Sequence, residues 1–397
     1  MFKQICGEPK WSLGVALFAF ILFVSPAAAV DAPNPTCETA LFTLHSNFPM
    51  GRMNDCEVLA NNSFRITITP EDNPPINPSP WYAVRLEPKA AGAIIIELSY
   101  PEYRHRYQPK ISADGVNWQV LDDDQIAVID EHSVRINLGA FDVPLYLAGQ
   151  ELFNFDAHKL WMNDLADRHE LAKSVIGQSI EGRPIIKIES TPAEGRKYIV
   201  LVGRQHPPEV TGALASMHFA EALYADTQLA KNFRIKFGII MVPIINPDGV
   251  ENGHWRHNSG GVDLNRDWGP FTEPETQAIK AELERFNLGD DLALFLDFHS
   301  TGRNLFYTQA EDEPITPHGF TSVWLANGRD RLTNYDFEHA ERPLTDLTTS
   351  KNYVYRTYGI PSITYEVGDH TDRVAIKNAA NIFAEEMMRT LLLGEGS

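Results

Sequence analysis

The chain has 397 residues, of which 43% are hydrophobic and 22% are charged, and its formal net charge is −19. This composition is that of a globular protein with an ample apolar core, long enough for two domains or one large domain with an appendage. So acidic a chain is expected to bind neither nucleic acid nor an anionic membrane surface.

The first residues have the pattern of an export signal. Lys3 and Lys10 precede an apolar stretch at 12–24, and small residues ending at Ala29 follow it. The stretch is too short to cross about 30 Å of hydrocarbon, which argues against a membrane anchor. We predict a secretory signal peptide at residues 1–29 and therefore a periplasmic or secreted protein.

Two cysteines, Cys37 and Cys56, remain beyond this segment. In an oxidising compartment such a pair favours one disulfide, closing a loop of about 20 residues worth about 3 kcal/mol. Two unpaired buried thiols are the alternative, because the sequence does not show whether the two Cα atoms approach closely enough.

Residues 37–150 are predicted to form an antiparallel β-sandwich. Short runs alternate apolar and polar residues, as strands with one buried face do, at 64–68, 81–86, 94–98 and 134–138. About seven to nine strands are expected. The proline-rich segment 73–80 is interpreted as a loop inside this domain, since strands continue beyond it.

From residue 155 to 397 the pattern changes to strands that alternate with helices. Near-continuous apolar runs, typical of strands buried on both faces, lie at 198–202, 235–245, 292–298 and 363–367. Residues 211–225 are a predicted helix, and another is expected after Thr272, which could form a capping box with Glu275. This order predicts an open α/β sheet.

Candidate ligands stand where these predicted strands end. His206 and Glu209 follow the first run, His299 follows the third, and Glu366 lies in the last. A His-x-x-Glu pair with a distant histidine supplies three ligands and leaves a fourth position open, as catalytic zinc sites require. A further carboxylate, free of the metal, could activate a bound water.

The segment 246–268, NPDGVENGHWRHNSGGVDLNRDW, connects these positions. Its N-P-D-G turn, W-R pair and G-V-D-x-N-R block resemble the signature of the zinc carboxypeptidase family. Upstream, SNFPMGRM, PSPWYAVRL, PKISADGVNWQVL and GQSIEGRPI are similar to the amino-terminal half of the cytosolic-carboxypeptidase-like subfamily. Together the matches cover nearly all of the chain beyond the signal.

The resemblance implies an α/β/α domain with a mixed central sheet behind the sandwich, and one Zn²⁺ per chain. It implies that the metal ligands are His206, Glu209 and His299, and that Glu366 is the general base. Glu366 suits that role if it lies within hydrogen-bond reach of the water.

The remaining roles also follow from the resemblance. Arg256 corresponds to the arginine that stabilises the oxyanion, for which a permanently charged guanidinium is suited. Asn265 and Arg266 correspond to the pair that binds the terminal carboxylate of the substrate, which a guanidinium can hold through two parallel hydrogen bonds. Asp263 corresponds to the carboxylate that orients His206. The histidines that flank Arg256, His254 and His257, have no carboxylate spaced to join them, so no second metal site is expected there.

We therefore expect an exported zinc-dependent metallocarboxypeptidase acting on peptides with a free C-terminal carboxylate. Lys351 and Arg356, in the expected loop before Glu366, suggest a preference for acidic C-terminal residues. Pro208 replaces an arginine that many pancreatic-type relatives use to contact substrate. The family also uses a mobile tyrosine, and the sequence does not choose among Tyr353, Tyr355 and Tyr358.

Other functional classes stay open. The same zinc site could serve an amidase that acts on stem peptides of the cell wall, which a periplasmic location makes reasonable. A non-catalytic protein whose sandwich binds a glycan or a partner is a further alternative. A purely structural module is favoured by nothing in the sequence.

Overall fold

The structure, a computed structural model, describes residues 35–72, 80–101, 103–286, 291–342 and 348–394. The predicted signal peptide, residues 1–29, and nearly all of the segment 73–80 lie outside these ranges. Within them, no helix combines the length and the hydropathy needed to cross a bilayer.

The strands of the amino-terminal part, here the N-terminal sandwich, form two sheets. Their bounds are β1 Thr36–Glu38, β2 Phe42–His45, β3 Asp55–Ala60, β4 Ser63–Thr67, β5 Ala83–Pro88, β6 Gly92–Ser99, β7 Lys110–Ser112, β8 Gln119–Val120, β9 Ile126–Asp130, β10 Ser133–Phe141 and β11 Leu145–Ala148. One sheet has the order β1-β2-β5-β11-β7-β8 and the other β3-β4-β6-β10-β9. Neighbours run antiparallel except β4 and β6, which run parallel. The predicted sandwich is confirmed, with more strands than the seven to nine expected.

Alternating side chains of both sheets fill the space between them. Phe42 and Leu44 of one sheet and Ile94, Ile96 and Leu98 of the other are fully buried in one apolar cluster. A disulfide joins Cys37 in β1 to Cys56 in β3, with their Cα atoms 5.9 Å apart, and so links the two sheets.

The carboxy-terminal part contains a mixed eight-stranded sheet in the order β12-β13-β15-β14-β16-β19-β17-β18. Its strands are β12 Ala172–Gln178, β13 Pro184–Glu189, β14 Lys197–Gly203, β15 Phe237–Val242, β16 Leu292–Thr301, β17 Leu305–Thr308, β18 Glu338–Glu341 and β19 Ser362–Gly368. The four central strands, β15, β14, β16 and β19, run parallel. Their carboxyl ends therefore meet at one edge.

Helices cover both faces of this sheet. They are α1 Phe155–His169, α2 Val210–Leu223, α3 Gln228–Lys236, α4 Pro247–Glu251, α5 Pro274–Leu283, α6 Phe320–Arg331, α7 Ser350–Tyr358 and α8 Arg373–Gly394. Leu201 and Met241 face a cluster that includes Phe219 of α2 and Phe383 of α8. On the other face, Val200 belongs to a cluster with residues of α5 and α7. The predicted α/β/α arrangement with a mixed sheet is confirmed.

The helix expected after Thr272 is present as α5, but its N-cap residue is not the one predicted. Glu273 occupies the cap position, because α5 begins with Pro274. The Thr272 hydroxyl instead donates a hydrogen bond to the carboxylate of Asp267, and the same carboxylate accepts the Glu273 N–H at 2.9 Å. The predicted capping box with Glu275 is wrong, because Thr272 is not the cap residue and a buried carboxylate of the preceding loop binds the N–H of the cap residue Glu273.

The two parts share an apolar cluster. Met50 and Trp81 of the N-terminal sandwich pack with Val250 and Trp255 of the carboxy-terminal part. The Trp81 indole N–H donates to the Met50 carbonyl at 2.7 Å, so its polar end is satisfied. That residues 37–150 and 155–397 are separate folding domains stays a prediction.

Candidate active site and metal centre

The parallel strands place the predicted ligands and base at one edge of the sheet. His206 lies shortly after β14, and Glu209 is the N-cap residue that immediately precedes α2. His299 in β16 lies directly opposite Glu366 in β19. Gly212, in the first turn of α2, permits this approach, because a Cβ there would lie 2.4 Å from the His299 carbonyl oxygen.

His206, Glu209 and His299 form a buried cluster whose ligand atoms all lie within 4.8 Å of one another. Glu209 Oε1 is 2.9 Å from His206 Nδ1, and Oε2 is 2.8 Å from His299 Nδ1. Burial alone would lower the pKa of His206 and raise that of Glu209, but their mutual attraction reverses both shifts. Two imidazoles and one carboxylate fit the donor set of a catalytic zinc ion, with a fourth position left for water or substrate.

A carboxylate lies beside the outer nitrogen of each histidine. Asp263 Oδ1 is 3.0 Å from His206 Nε2, and Asp297 Oδ2 is 2.8 Å from His299 Nε2. Such contacts fix the tautomer and the orientation of a ligating ring. Asp297 is not among the residues predicted for the site, although it lies two positions before His299 in β16 and residues two apart in a strand share a face.

Asp263 also holds Arg256 through its second oxygen. Oδ2 lies 2.7 Å from Nε and 2.6 Å from Nη2 of the buried Arg256 side chain. Asn246 fixes the main chain nearby by donating to the carbonyls of Gln205 at 3.1 Å and His257 at 3.0 Å. The residues 255–257, here the Arg256 turn, are therefore tied to the loop that carries His206.

Asn265 and Arg266 lie in a short 3-10 helix, Leu264–Arg266, whose N-cap residue is Asp263. Asn265 Oδ1 accepts the backbone N–H of Ser350 at 2.9 Å, which connects it to α7. Arg266 is exposed, and its Nη1 donates to the Asn265 carbonyl at 2.8 Å. Both residues line a cavity of about 400 Å³ together with the three ligands, Arg256 and Glu366. The predicted metal ligands, the predicted base and the predicted substrate-binding residues thus line one cavity.

Glu366 lines this cavity with little solvent around its carboxyl group. Its Oε2 is buried and has no hydrogen-bond partner among the described residues. Burial, reinforced by the charge of Glu209 and opposed by the two histidines, raises its pKa to about 7. A carboxyl group with this pKa can both accept and release a proton near neutral pH.

The cationic lining of the cavity differs from the expectation. The segment before Glu366 is the helix α7, not a loop, and Lys351 lies on its cavity side, whereas Arg356 is exposed and outside the cavity lining. The expectation for Arg356 is wrong. Arg342 and Tyr307 line the cavity instead, and neither is among the residues predicted from the sequence.

The three candidate tyrosines all lie in α7, outside the lining of this cavity. Tyr353 packs edge-on against Phe271, with ring centroids 4.8 Å apart. Tyr355 donates its hydroxyl to the Pro314 carbonyl at 3.2 Å. The structure therefore adds no support to any of them as a residue that assists catalysis.

The histidines flanking Arg256 have different surroundings. His254 Nδ1 lies 3.1 Å from the carbonyl of His257. Carboxylates do reach His257, from a distant part of the sequence: its Nε2 is 3.0 Å from Asp72 Oδ2, and its Nδ1 is 3.8 Å from Glu71 Oε2. The N-terminal sandwich therefore borders the active site.

Comparisons with known proteins agree with this geometry. Residues 159–389 match the family described as zinc carboxypeptidase. An uncharacterized protein of Zymomonas mobilis is 25% identical over 308 residues, covering 71% of this chain and 75% of that protein. Mouse cytosolic carboxypeptidase 1 is 26% identical over 189 residues, which cover 42% of this chain but only 16% of that much longer protein.

Two solved structures share the fold over nearly the whole chain. A metallo-carboxypeptidase from Burkholderia cenocepacia superposes with a TM-score of 0.73 at 18% identity, covering 90% of this chain and 99% of that one. A metallo-carboxypeptidase from Pseudomonas aeruginosa gives 0.73 at 18% identity, covering 88% and 98%.

Proposed function

The chain belongs to the zinc carboxypeptidase family, and on this premise we propose that it removes C-terminal residues from peptides by zinc-dependent hydrolysis. The observation that carries the proposal is the convergence of His206, Glu209 and His299 on one point beside Glu366. Arg256 lines the same cavity. One Zn²⁺ per chain is proposed for this cluster.

Each residue has a task in that reaction. Zinc held by the three ligands would supply a water with a pKa of about 7 and polarise the scissile carbonyl. Glu366 accepts the proton of the attacking water and passes it to the departing amine. Arg256 donates hydrogen bonds to the oxygen on which negative charge develops. Arg266 and Asn265 hold the terminal carboxylate of the substrate, which restricts cleavage to the last peptide bond.

An acidic side chain is the proposed preference at the C-terminal position. Lys351 is 5% exposed and lines the cavity, and its ammonium group donates to the Thr308 carbonyl at 3.2 Å. Burial lowers the pKa of Lys351 to about 8, so the group is mostly charged at pH 7. Arg342, beside Tyr307, adds a second cation to the lining. A carboxylate side chain would neutralise this partly desolvated charge.

Matched peptides that differ only in the last residue test both levels of the proposal. Wild-type protein is incubated with peptides ending in Glu, Gln, Leu or Lys, and products are followed by mass spectrometry with and without a chelator. Loss of single C-terminal residues that stops with chelator supports the carboxypeptidase. Equal rates for all four peptides would end the acidic preference alone. Cell-wall stem peptides in the same assay test the amidase alternative, and metal-loaded protein that hydrolyses nothing would favour a binding protein.

Export to the periplasm or the medium is also proposed. The sequence pattern of residues 1–29 supports it, as does the Cys37–Cys56 disulfide, since such bonds persist in oxidising compartments. Fractionation of the native host with an antibody to the protein, alongside a cytoplasmic marker, measures this. Recovery with the marker at full precursor mass would refute it.

A further inference from the structure

The Arg256 turn receives an unusual support from the N-terminal sandwich. The Glu71 carboxylate accepts three consecutive backbone N–H groups: that of Trp255 at 2.7 Å, that of Arg256 at 3.0 Å and that of His257 at 2.7 Å. Successive N–H groups that converge on one anion form a nest, and bonds to an ionised acceptor are stronger than bonds between neutral groups.

The neighbouring residue extends this contact. Asp72 Oδ2 lies 3.0 Å from His257 Nε2 and 3.5 Å from Arg256 Nε. The Asp72 carbonyl accepts the hydroxyl of Tyr103, whose ring meets Trp255 edge-on with centroids 5.9 Å apart. Both the backbone and the side chains of the Arg256 turn thus contact the sandwich, although Glu71 and Arg256 are far apart in sequence.

We propose that Glu71 is a positioning residue for the proposed hydrolysis: by binding the backbone of the Arg256 turn, it fixes where the Arg256 guanidinium meets the developing oxyanion. Asp263 fixes the side chain of Arg256, and Glu71 fixes the main chain that carries it. Both are needed because a displacement of about 1 Å at a reacting group can cost about 100-fold in rate.

The inference rests on the proposed function and adds a role for the N-terminal sandwich. By positioning Arg256, Glu71 would stabilise the transition state rather than the bound substrate, because the negative charge on the substrate oxygen develops only during the reaction. A change at Glu71 is therefore expected in kcat and in the affinity for a transition-state analogue, with little change in KM.

The test compares Glu71→Gln with the matched control Glu57→Gln. Glu57 is an exposed carboxylate of the same sandwich that pairs with Arg65 at 2.7 Å. For Glu71→Gln we expect kcat to fall about 10- to 100-fold, with KM within about threefold and zinc content unchanged. The dissociation constant of a phosphonate peptide analogue is expected to rise by the same factor as kcat/KM falls. Glu57→Gln is expected to behave as wild type.

Amide hydrogen exchange in the full-length protein gives a second readout that is independent of activity. The N–H groups of residues 255–257 are expected to exchange faster in Glu71→Gln, with the core strands unchanged. Glu71→Asp keeps the charge with a shorter reach and should give intermediate kcat and exchange, and it replaces Glu71→Gln in the comparison if that variant does not fold.

Three outcomes separate the claims. Unchanged kcat and unchanged exchange in a folded Glu71 variant would overturn the positioning role while leaving the carboxypeptidase intact. Loss of zinc or faster exchange throughout the protein would overturn it in favour of a general structural role. Absence of hydrolysis by the wild-type protein counts against the proposed function, whereas the local exchange result still tests the contact itself.

Discussion

Asp263→Asn is the substitution that separates metal binding from catalysis most clearly. One oxygen of Asp263 lies beside His206 and the other beside Arg256. Burial would raise the pKa of this carboxyl, but His206 and Arg256 hold it well below its usual range, so it carries its charge throughout the working range of pH. An asparagine of the same shape offers an acceptor on only one side.

Either orientation of the new amide breaks one contact. If its NH₂ group faces His206, it can no longer accept the Nε2 proton, and the tautomer that leaves Nδ1 free for a metal is lost. If its NH₂ group faces Arg256, donor meets donor and the guanidinium shifts. The first case weakens zinc binding about 10- to 100-fold. The second lowers kcat about 100- to 1000-fold, as loss of an oxyanion donor does.

Asp297→Asn is the matched control, because Asp297 lies beside His299 and, within the described part of the chain, does not contact Arg256. Zinc affinity is measured by competition with a chelator, and kcat is then measured at saturating zinc. Asp297→Asn is expected to bind zinc more weakly and to keep a kcat near that of the wild type at saturating zinc. Asp263→Asn should lose at least about 10-fold, either in zinc affinity or in kcat at saturating zinc, according to which contact its amide breaks. Wild-type zinc affinity together with wild-type kcat in Asp263→Asn would refute the double role of Asp263.

Three further expectations concern single groups. Lys351→Met should reduce the preference for a C-terminal Glu over Gln, with Arg342 left as the remaining cation of the lining. In the wild type the Glu/Gln rate ratio should fall as pH rises from 7 to 9, because burial lowers the pKa of Lys351 to about 8, so that its charge is present below this pH and lost above it. A ratio independent of pH and of the substitution contradicts the pocket assignment. Glu366→Gln should keep its zinc content and lose about 100- to 10,000-fold in kcat, and a variant with near wild-type kcat excludes Glu366 as the base. Replacing both Cys37 and Cys56 by Ser should cost about 3 kcal/mol in the free energy of unfolding, measured by denaturant titration, while kcat stays unchanged; no loss of stability means that the disulfide does not form in solution.

Local sequence patterns were sufficient for the main architecture. Period-two alternation in segments such as 134–138 predicts half-buried strands, and continuous apolar runs predict the central parallel strands. The short edge strands β1 and β8 cannot be predicted in this way. They have only three and two residues, which is too few to show an alternating pattern. The start of α5 cannot be predicted from local pattern either, because Asp267 of the preceding loop binds the backbone N–H of Glu273 there.

The residues of the site also fall into a group that the sequence predicts and a group that it does not. The ligands and Glu366 follow from motifs that place chemistry at strand ends, but the lining of the pocket depends on helix geometry. Lys351 and Arg356 are five residues apart in α7, which is about 140° around a helix with 3.6 residues per turn, so they cannot both face the cavity. Arg342 and Glu71 reach the site only through tertiary packing, for which one sequence offers no local signal.

The contacts at Glu71 bear on what the N-terminal sandwich does. A sandwich that only restricted access to the cleft would contact the rim of the cleft. Here Glu71 binds the backbone N–H of Arg256. In addition, Met50 and Trp81 belong to the same apolar cluster as Trp255. Removing residues 37–150 would therefore expose apolar surface and free the Arg256 turn at the same time. We expect the isolated residues 155–397 to lose activity for both reasons, which is why single substitutions at Glu71 in the full-length protein are more informative than truncation.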